Sequence, residues 1–243
     1  MRKLLAVIVA AFWAISAAPL FVSTSVMAAD LNPPPPTYEI PDLPPVDYGL
    51  QGSFYLRGSV AGNGWWASDG SYCGCIATFV SPGLGFSGGI GVGYETGDGL
   101  RGDLTVDYLS INGLTTTTGH TVNLRSGLVL ANAYYDFSLD GGYSGLAGGG
   151  FGAYVGAGIG FAKNYSEIYD NVPTQVAWGL SVEGAAAVMA GVTYDMGNIV
   201  ADLGYRGIYM NKVMSQPPNP ANTYIINNNL IHEARASVRY RFN

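Results

Sequence analysis

The segment His232-Glu233-Ala234-Arg235-Ala236-Ser237-Val238-Arg239-Tyr240-Arg241-Phe242 divides cleanly by the two-residue period of a β-strand. One face carries Ala234, Ala236, Val238, Tyr240 and Phe242; the other carries Glu233, Arg235, Ser237, Arg239 and Arg241. Successive side chains point to opposite sides of a pleated strand, so the segment has one apolar and one ionic side. In water the ionic side would face out and the apolar side would meet a core. In lipid the assignment reverses, and the ionic side looks into a polar interior. The rest of the chain decides between these two environments.

The 243 residues carry only 12% charged side chains, with 35 glycines, 17 tyrosines and a formal charge of −6. That charge fraction is about half the usual globular share and glycine is about twice its usual share. Few charges suit a chain whose outer skin is not water. Net acidity with scattered base gives no electrostatic footprint for nucleic acid. The N-terminus reads Met-Arg-Lys and is apolar from Leu4 to Val22, with Val26 and Ala28 placed before a cut at Ala29. Residues 1–28 are therefore expected to be a secretory signal peptide. Residues 29–48 follow as a proline-rich leader holding Pro33 to Pro36, Pro41, Pro44 and Pro45, which favours extended polyproline II over sheet. Residues 49–243 form the remaining domain, without another apolar run long enough for a spanning helix.

Alternation recurs along that domain. Strands are expected over residues 53–60, 86–95, 100–109, 123–137, 151–162, 178–195, 199–209 and 232–242, about eight in all. In the fourth, Val129, Ala131, Ala133, Tyr135 and Phe137 share one face while Leu128 and Leu130 sit on the other, so its facing is left open. Tight links at 96–99 and 195–198 contrast with long polar connections at 61–84, 110–122, 163–176 and 211–229. Aromatic residues supply an independent test. With strands alternating in direction, Tyr94, Tyr135, Phe151, Tyr194, Tyr240 and Phe242 fall at one rim. Phe86, Tyr108, Phe161, Trp178 and Tyr209 fall at the other. Two aromatic girdles around an aliphatic band belong at two membrane interfaces. The expected fold is an all-β, antiparallel, up-and-down transmembrane β-barrel with short periplasmic turns and long extracellular loops.

On that fold the interior receives Arg57, Arg101, Arg206, Arg235 and Arg239 against Glu95, Asp103, Asp107, Glu183, Asp202 and Glu233. Near-balanced charge in a narrow barrel reads as structural ion pairing. The rival is a narrow porin-like channel for small solutes. Cys73 and Cys75, one residue apart in an oxidising compartment, are read as a loop staple or an incidental pair. Two cysteines without nearby histidines give no metal site, and no cofactor pattern appears. His120 and His232 have no serine or acidic partner at useful spacing, and His232 and Glu233 point to opposite faces, so no enzyme is expected.

The stretches Phe54-Tyr55-Leu56-Arg57-Gly58, Ala133-Tyr134-Tyr135-Asp136-Phe137, Ala153-Tyr154-Val155-Gly156-Ala157-Gly158-Ile159-Gly160-Phe161, Asp202-Leu203-Gly204-Tyr205-Arg206 and His232-Glu233-Ala234-Arg235 resemble the opacity-type outer-membrane β-barrel family. The likeness is to the porin-family small surface antigens of α-proteobacteria and runs from about Gly49 to Phe242. It implies an eight-stranded barrel in the cell outer membrane, set among membrane lipid and lipopolysaccharide and inserted by the barrel-assembly machinery. It also implies a structural role in envelope integrity and contact with host or environment through surface loops. Trp65, Trp66 and Tyr72 in the first loop are the expected contact residues. Two features depart from the family pattern. Asn243 follows the terminal aromatic, and the first loop carries the two tryptophans and the Cys-Gly-Cys stretch.

Overall fold

Nine antiparallel strands follow one another round a ring in this computed structural model, which describes residues 52–72, 75–139, 150–172, 174–215 and 223–242. The signal peptide, the proline-rich leader, Cys73 and Asn243 lie outside the described residues. The strands are β1 (Ser53–Tyr72), β2 (Cys75–Ser81), β3 (Gly83–Glu95), β4 (Leu100–Thr116) and β5 (Thr121–Ser138). They continue as β6 (Gly150–Tyr169), β7 (Gln175–Asp195), β8 (Ile199–Met214) and β9 (Tyr224–Phe242). β1 pairs with β3, each strand from β3 to β9 pairs with the next, and β9 returns to β1 from Phe54↔Phe242 to Tyr72↔Tyr224, so the sheet has no free edge there. The short β2 sits above β3 along the same course, pairing β1 at Asp69↔Thr78 and β4 at Phe79↔Thr116. Counted as staves, the ring is the expected eight-stranded barrel.

The opening segment takes its place as the closing stave. Val238 is 53% exposed on the outside, while Arg235, Arg239 and Arg241 are buried inside. Phe54, Leu56, Ile90, Val106, Val155 and Leu203 continue the same outward belt. In the fourth long strand Val129, Tyr135 and Phe137 face out, and Leu128 and Leu130 are buried in the interior. Replacing Val238 by arginine would place a charge in hydrocarbon. Val238→Arg is expected to lose about 2–4 kcal/mol if its depth is near the bilayer midplane. Urea titration of refolding into lipid vesicles checks this, and an unchanged folding free energy would take Val238 out of the lipid face.

The strands run further than their sequence signature. β1 continues to Tyr72, β4 to Thr116, β6 to Tyr169 and β8 to Met214, while β5, β7 and β9 begin at Thr121, Gln175 and Tyr224. Most of the four expected long loops is therefore sheet. The β4–β5 connection shrinks to residues 117–120, closed by the Thr116 N–H donating to the His120 carbonyl at 2.9 Å. Above the apolar belt the barrel wall stands on in water, and its polarity inverts. In β9 the inward residues run Glu233, Ile231, Asn229 and then Ile226 and Tyr224, so the two-residue period skips at Asn228. Asn228 has φ of 51°, the left-handed conformation that asparagine tolerates, and the pairing on both sides resumes past it in the same register.

Glycines on the inward face of two strands make room for long neighbours. A Cβ on Gly93 would strike the Tyr55 ring, and one on Gly156 would strike the Tyr134 ring. These two tyrosines thereby lie flat across adjacent staves and stay buried.

Candidate functional site in the barrel interior

The interior is stacked in three layers, each built by strand alternation from several staves. The lowest layer, nearest the tight 96–99 and 196–198 turns, is ionic. Arg101 forks onto Asp136 at 2.8 and 3.0 Å and lies 3.9 Å from the Tyr134 ring centroid. Arg239 forks onto Asp202 at 3.1 and 3.0 Å and reaches Glu95 at 3.2 Å. Arg57 donates to Asp103 at 3.1 Å and to the Tyr134 hydroxyl at 2.7 Å, while Tyr55 donates to the same Asp103 at 3.0 Å. Arg241 closes the rim against Asp195 at 2.6 Å and against Glu95. Bidentate guanidinium–carboxylate contacts fix orientation as well as charge.

The middle layer is a four-membered square. Arg206 meets Asp107 at 2.8 Å and Glu233 at 2.5 Å; Arg235 meets the same two carboxylates at 2.6 and 3.4 Å. Ser87 donates to Glu233 at 2.9 Å, and Ser59 contacts Arg235. All four charged side chains are buried, so each depends on the others for solvation. Two arginines and two carboxylates balance, which is the arrangement a low-dielectric interior tolerates.

The top layer is apolar. Leu109, Ile111, Leu114, Val122, Leu124, Ile168, Val213, Ile226 and Ile231 pack into one cluster with Trp65. Trp65 marks the base of this plug: it is 0% exposed, and its indole Nε1 donates to Asn229 Oδ1 at 3.1 Å. Asn229 in turn donates to the Ile226 carbonyl at 3.0 Å, tying the plug to the stretch of β9 beyond Asn228. Tyr224, Tyr72 and His120 close the top, with ring centroids 5.4 Å apart for the tyrosine pair and 5.6 Å from Tyr72 to His120. Burial pushes the Tyr224 phenol up to about 12. On the outer wall, hydrogen bonds from Ser68 and Asn227 hold the Asp69 carboxyl below its usual range.

Placement of the expected residues is mixed. Arg57, Glu95, Arg101, Asp103, Asp107, Asp202, Arg206, Glu233, Arg235 and Arg239 all lie inside and in ion pairs. Glu183 also points inward but is only half-buried and makes no ion pair among the described residues; the residue opposite it on β6 is Ala162, not a cation. The expected set lacks Asp136, Asp195 and Arg241, which alternation with Tyr135, Tyr194 and Phe242 places on the same inward side. It also lacks Tyr55 and Tyr134, whose signal is a tyrosine sharing a face with arginine or aspartate.

The girdle residues Tyr108, Tyr135, Phe161, Trp178, Tyr194, Tyr209, Tyr240 and Phe242 are exposed on the outside, and Tyr94 packs edge-on against Phe54 at 5.0 Å. Trp65 is not a surface contact: it is an inward residue of β1, because the strand does not end at Val60. Trp66 faces out at the upper edge of the belt, opposite Leu230, and Tyr72 is half-buried in the ring stack. Cys75 opens β2 as an exposed free thiol, while its expected bridging partner lies outside the described residues. His232 meets the Tyr205 hydroxyl at 2.6 Å on the outer wall, and His120 Nδ1 meets Thr118 at 3.1 Å.

Comparison with known proteins agrees with this architecture. An uncharacterised protein of Brucella suis biovar 1 is 30% identical over 279 residues, covering 88% of this chain and 92% of its own. An uncharacterised protein of Brucella abortus strain 2308 matches over the same share of each chain. The crystal structure of Neisserial surface protein A superposes with a TM-score of 0.50 at 22% identity, covering 78% of this chain and 97% of that one, a likeness of fold. Residues 16–242 match the family described as outer membrane protein β-barrel domain. A closed sheet with an apolar outside, an ion-paired inside and this family match makes the chain a member of the outer membrane protein β-barrel family, located in the cell outer membrane.

Proposed function

We propose that the protein is a closed, non-enzymatic barrel of the opacity type that supports the envelope and presents a rigid extracellular wall for contact with host or environment. The observation that carries this reading is the filled interior: an ionic layer, a charge-balanced square and an apolar plug occupy successive levels of the barrel. An eight-stranded ring has room for its side chains and little else. In this reading residues 1–28 direct export, the proline-rich leader lies on the periplasmic side, and the barrel-assembly machinery inserts the domain among outer-membrane lipid and lipopolysaccharide. Host or envelope partners meet the rim around Tyr72 and His120 rather than long loops.

The test is planar-bilayer recording with the refolded mature protein. The expected result is a silent bilayer at protein levels that give confirmed insertion. Reproducible single-channel steps would sink the closed-barrel reading in favour of the narrow channel.

A further inference from the structure

We infer that the outer-leaflet face of β6, β7 and β8 holds one phosphorylated, multiply acylated lipid, with an acyl chain in a groove between Phe161 and Tyr209 and its anionic headgroup at Lys163 and Lys212. The inference deepens the lipid contact proposed above and rests on that membrane placement. The groove has a volume of about 490 Å³. Phe161 and Tyr209 form its walls, while Gly184 and Ala186 form a low floor and Asn211 stands at its mouth. Register explains the shape: Phe161 is opposite Gly184, and Ala186 is opposite Tyr209, so two large rings flank a strand of small residues. A Cβ on Gly184 would meet nothing within 4 Å, which is the open space an acyl chain would occupy.

Charge points to the headgroup. Nine lysines and arginines fall in the described residues, and six of them (Arg57, Arg101, Arg206, Arg235, Arg239 and Arg241) are buried in the barrel. The other three, Arg125, Lys163 and Lys212, all stand on β5, β6 and β8 just beyond the outer aromatic girdle. None makes an ion pair among the described residues; Arg125 donates to the neutral Asn112 at 2.8 Å. Lys163 is two residues above Phe161 and Lys212 is next to Asn211 at the mouth; both are exposed, and both stand beyond the groove's lining rather than in it. Glu167, the carboxylate on the same wall, stands four residues beyond Lys163 and contacts Tyr165.

The backbone opens at the same level. The β7–β8 ladder runs from Asp195↔Val200 to Ala185↔Met210 and stops, although both strands continue past it. Above that point the Met214 N–H reaches the Ser181 hydroxyl at 3.3 Å in place of a ladder bond. The polar Asn211 at the mouth and the apolar side chains below match the amphipathic order of a membrane lipid.

The experiment uses the mature protein refolded into phosphatidylethanolamine vesicles containing lipid A, then extracted mildly and weighed by native mass spectrometry. One lipid A is expected to stay bound in preference to phosphatidylethanolamine. Gly184→Leu, whose Cβ would meet nothing within 4 Å, puts a side chain into the groove and is expected to abolish that preference. Lys163→Gln and Lys212→Gln are each expected to weaken lipid A retention about fivefold, the effect of one cation near an anionic surface, with phosphatidylethanolamine unaffected. Heat-modifiable gel migration of every variant reports the barrel separately. Loss of that migration in the wild type would overturn the membrane barrel itself. Intact migration with retention indifferent to Gly184→Leu, or with no preference for lipid A, would overturn the groove alone.

Discussion

Arg206→Met is expected to destabilise the barrel by about 3–5 kcal/mol, because it removes one cation from a buried square and leaves two carboxylates competing for the other. Asp107 and Glu233 would both turn to Arg235, which lies 2.6 Å from one and 3.4 Å from the other. Neither carboxylate is reached by solvent, so the surplus charge is not dispersed by water. Urea-driven unfolding in lipid vesicles, followed by the gel shift between folded and unfolded forms, measures the loss. Arg206→Met combined with Glu233→Gln restores charge balance and is expected to recover part of it, since residues in one network couple rather than add. A loss below about 0.5 kcal/mol for Arg206→Met, the range of ordinary surface changes, would mean that water enters the square and the interior is not dry.

Trp65→Ala is expected to lose about 3–5 kcal/mol, as large aromatic truncations in packed cores do. The indole fills the base of the apolar plug, and its removal also strands Asn229 Oδ1, which accepts the Nε1 hydrogen at 3.1 Å. Trp65→Phe keeps most of the volume and is expected to lose less than half as much, so the pair separates packing from the hydrogen bond. Reversible urea unfolding again supplies the measurement. A neutral Trp65→Ala variant would return Trp65 to the role of an exposed contact residue.

The lower barrel was legible in the sequence because lipid outside and ions inside impose the strongest contrast available to alternating side chains. Segment 232–242 displays it without a break, and the girdle positions follow from strand direction. Above the belt the contrast changes sign. Ile226 and Tyr224 face in, and Asn227 and Asn228 face water, yet the residues that carry the change are asparagines and glycines that look like loop. Leu128 and Leu130 announced the apolar interior, but in isolation they only blur the facing of their strand. Trp65 illustrates the same difficulty: beside Gly62, Gly64 and Trp66 it has no partner of clear polarity to define its side. Its partner, Asn229, is supplied by β9, 164 residues away in sequence. The charge square was legible residue by residue, whereas its pairing was not, since Arg206 and Asp107 are brought together only by closure of the ring.

The inversion at Asn228 divides the outer surface into two chemical regimes on one continuous sheet. Below it, an outward substitution must remain compatible with hydrocarbon. Above it, the fold is held from within by Trp65, Ile111, Leu124, Ile168 and Ile226, as in a water-soluble barrel, and outward residues contribute little to it. Residues such as Ser68, Asn227 and Tyr169 can therefore change while every strand stays in register. Surface diversity on this protein need not be confined to its connections: the strands themselves offer a variable exterior mounted on an invariant interior.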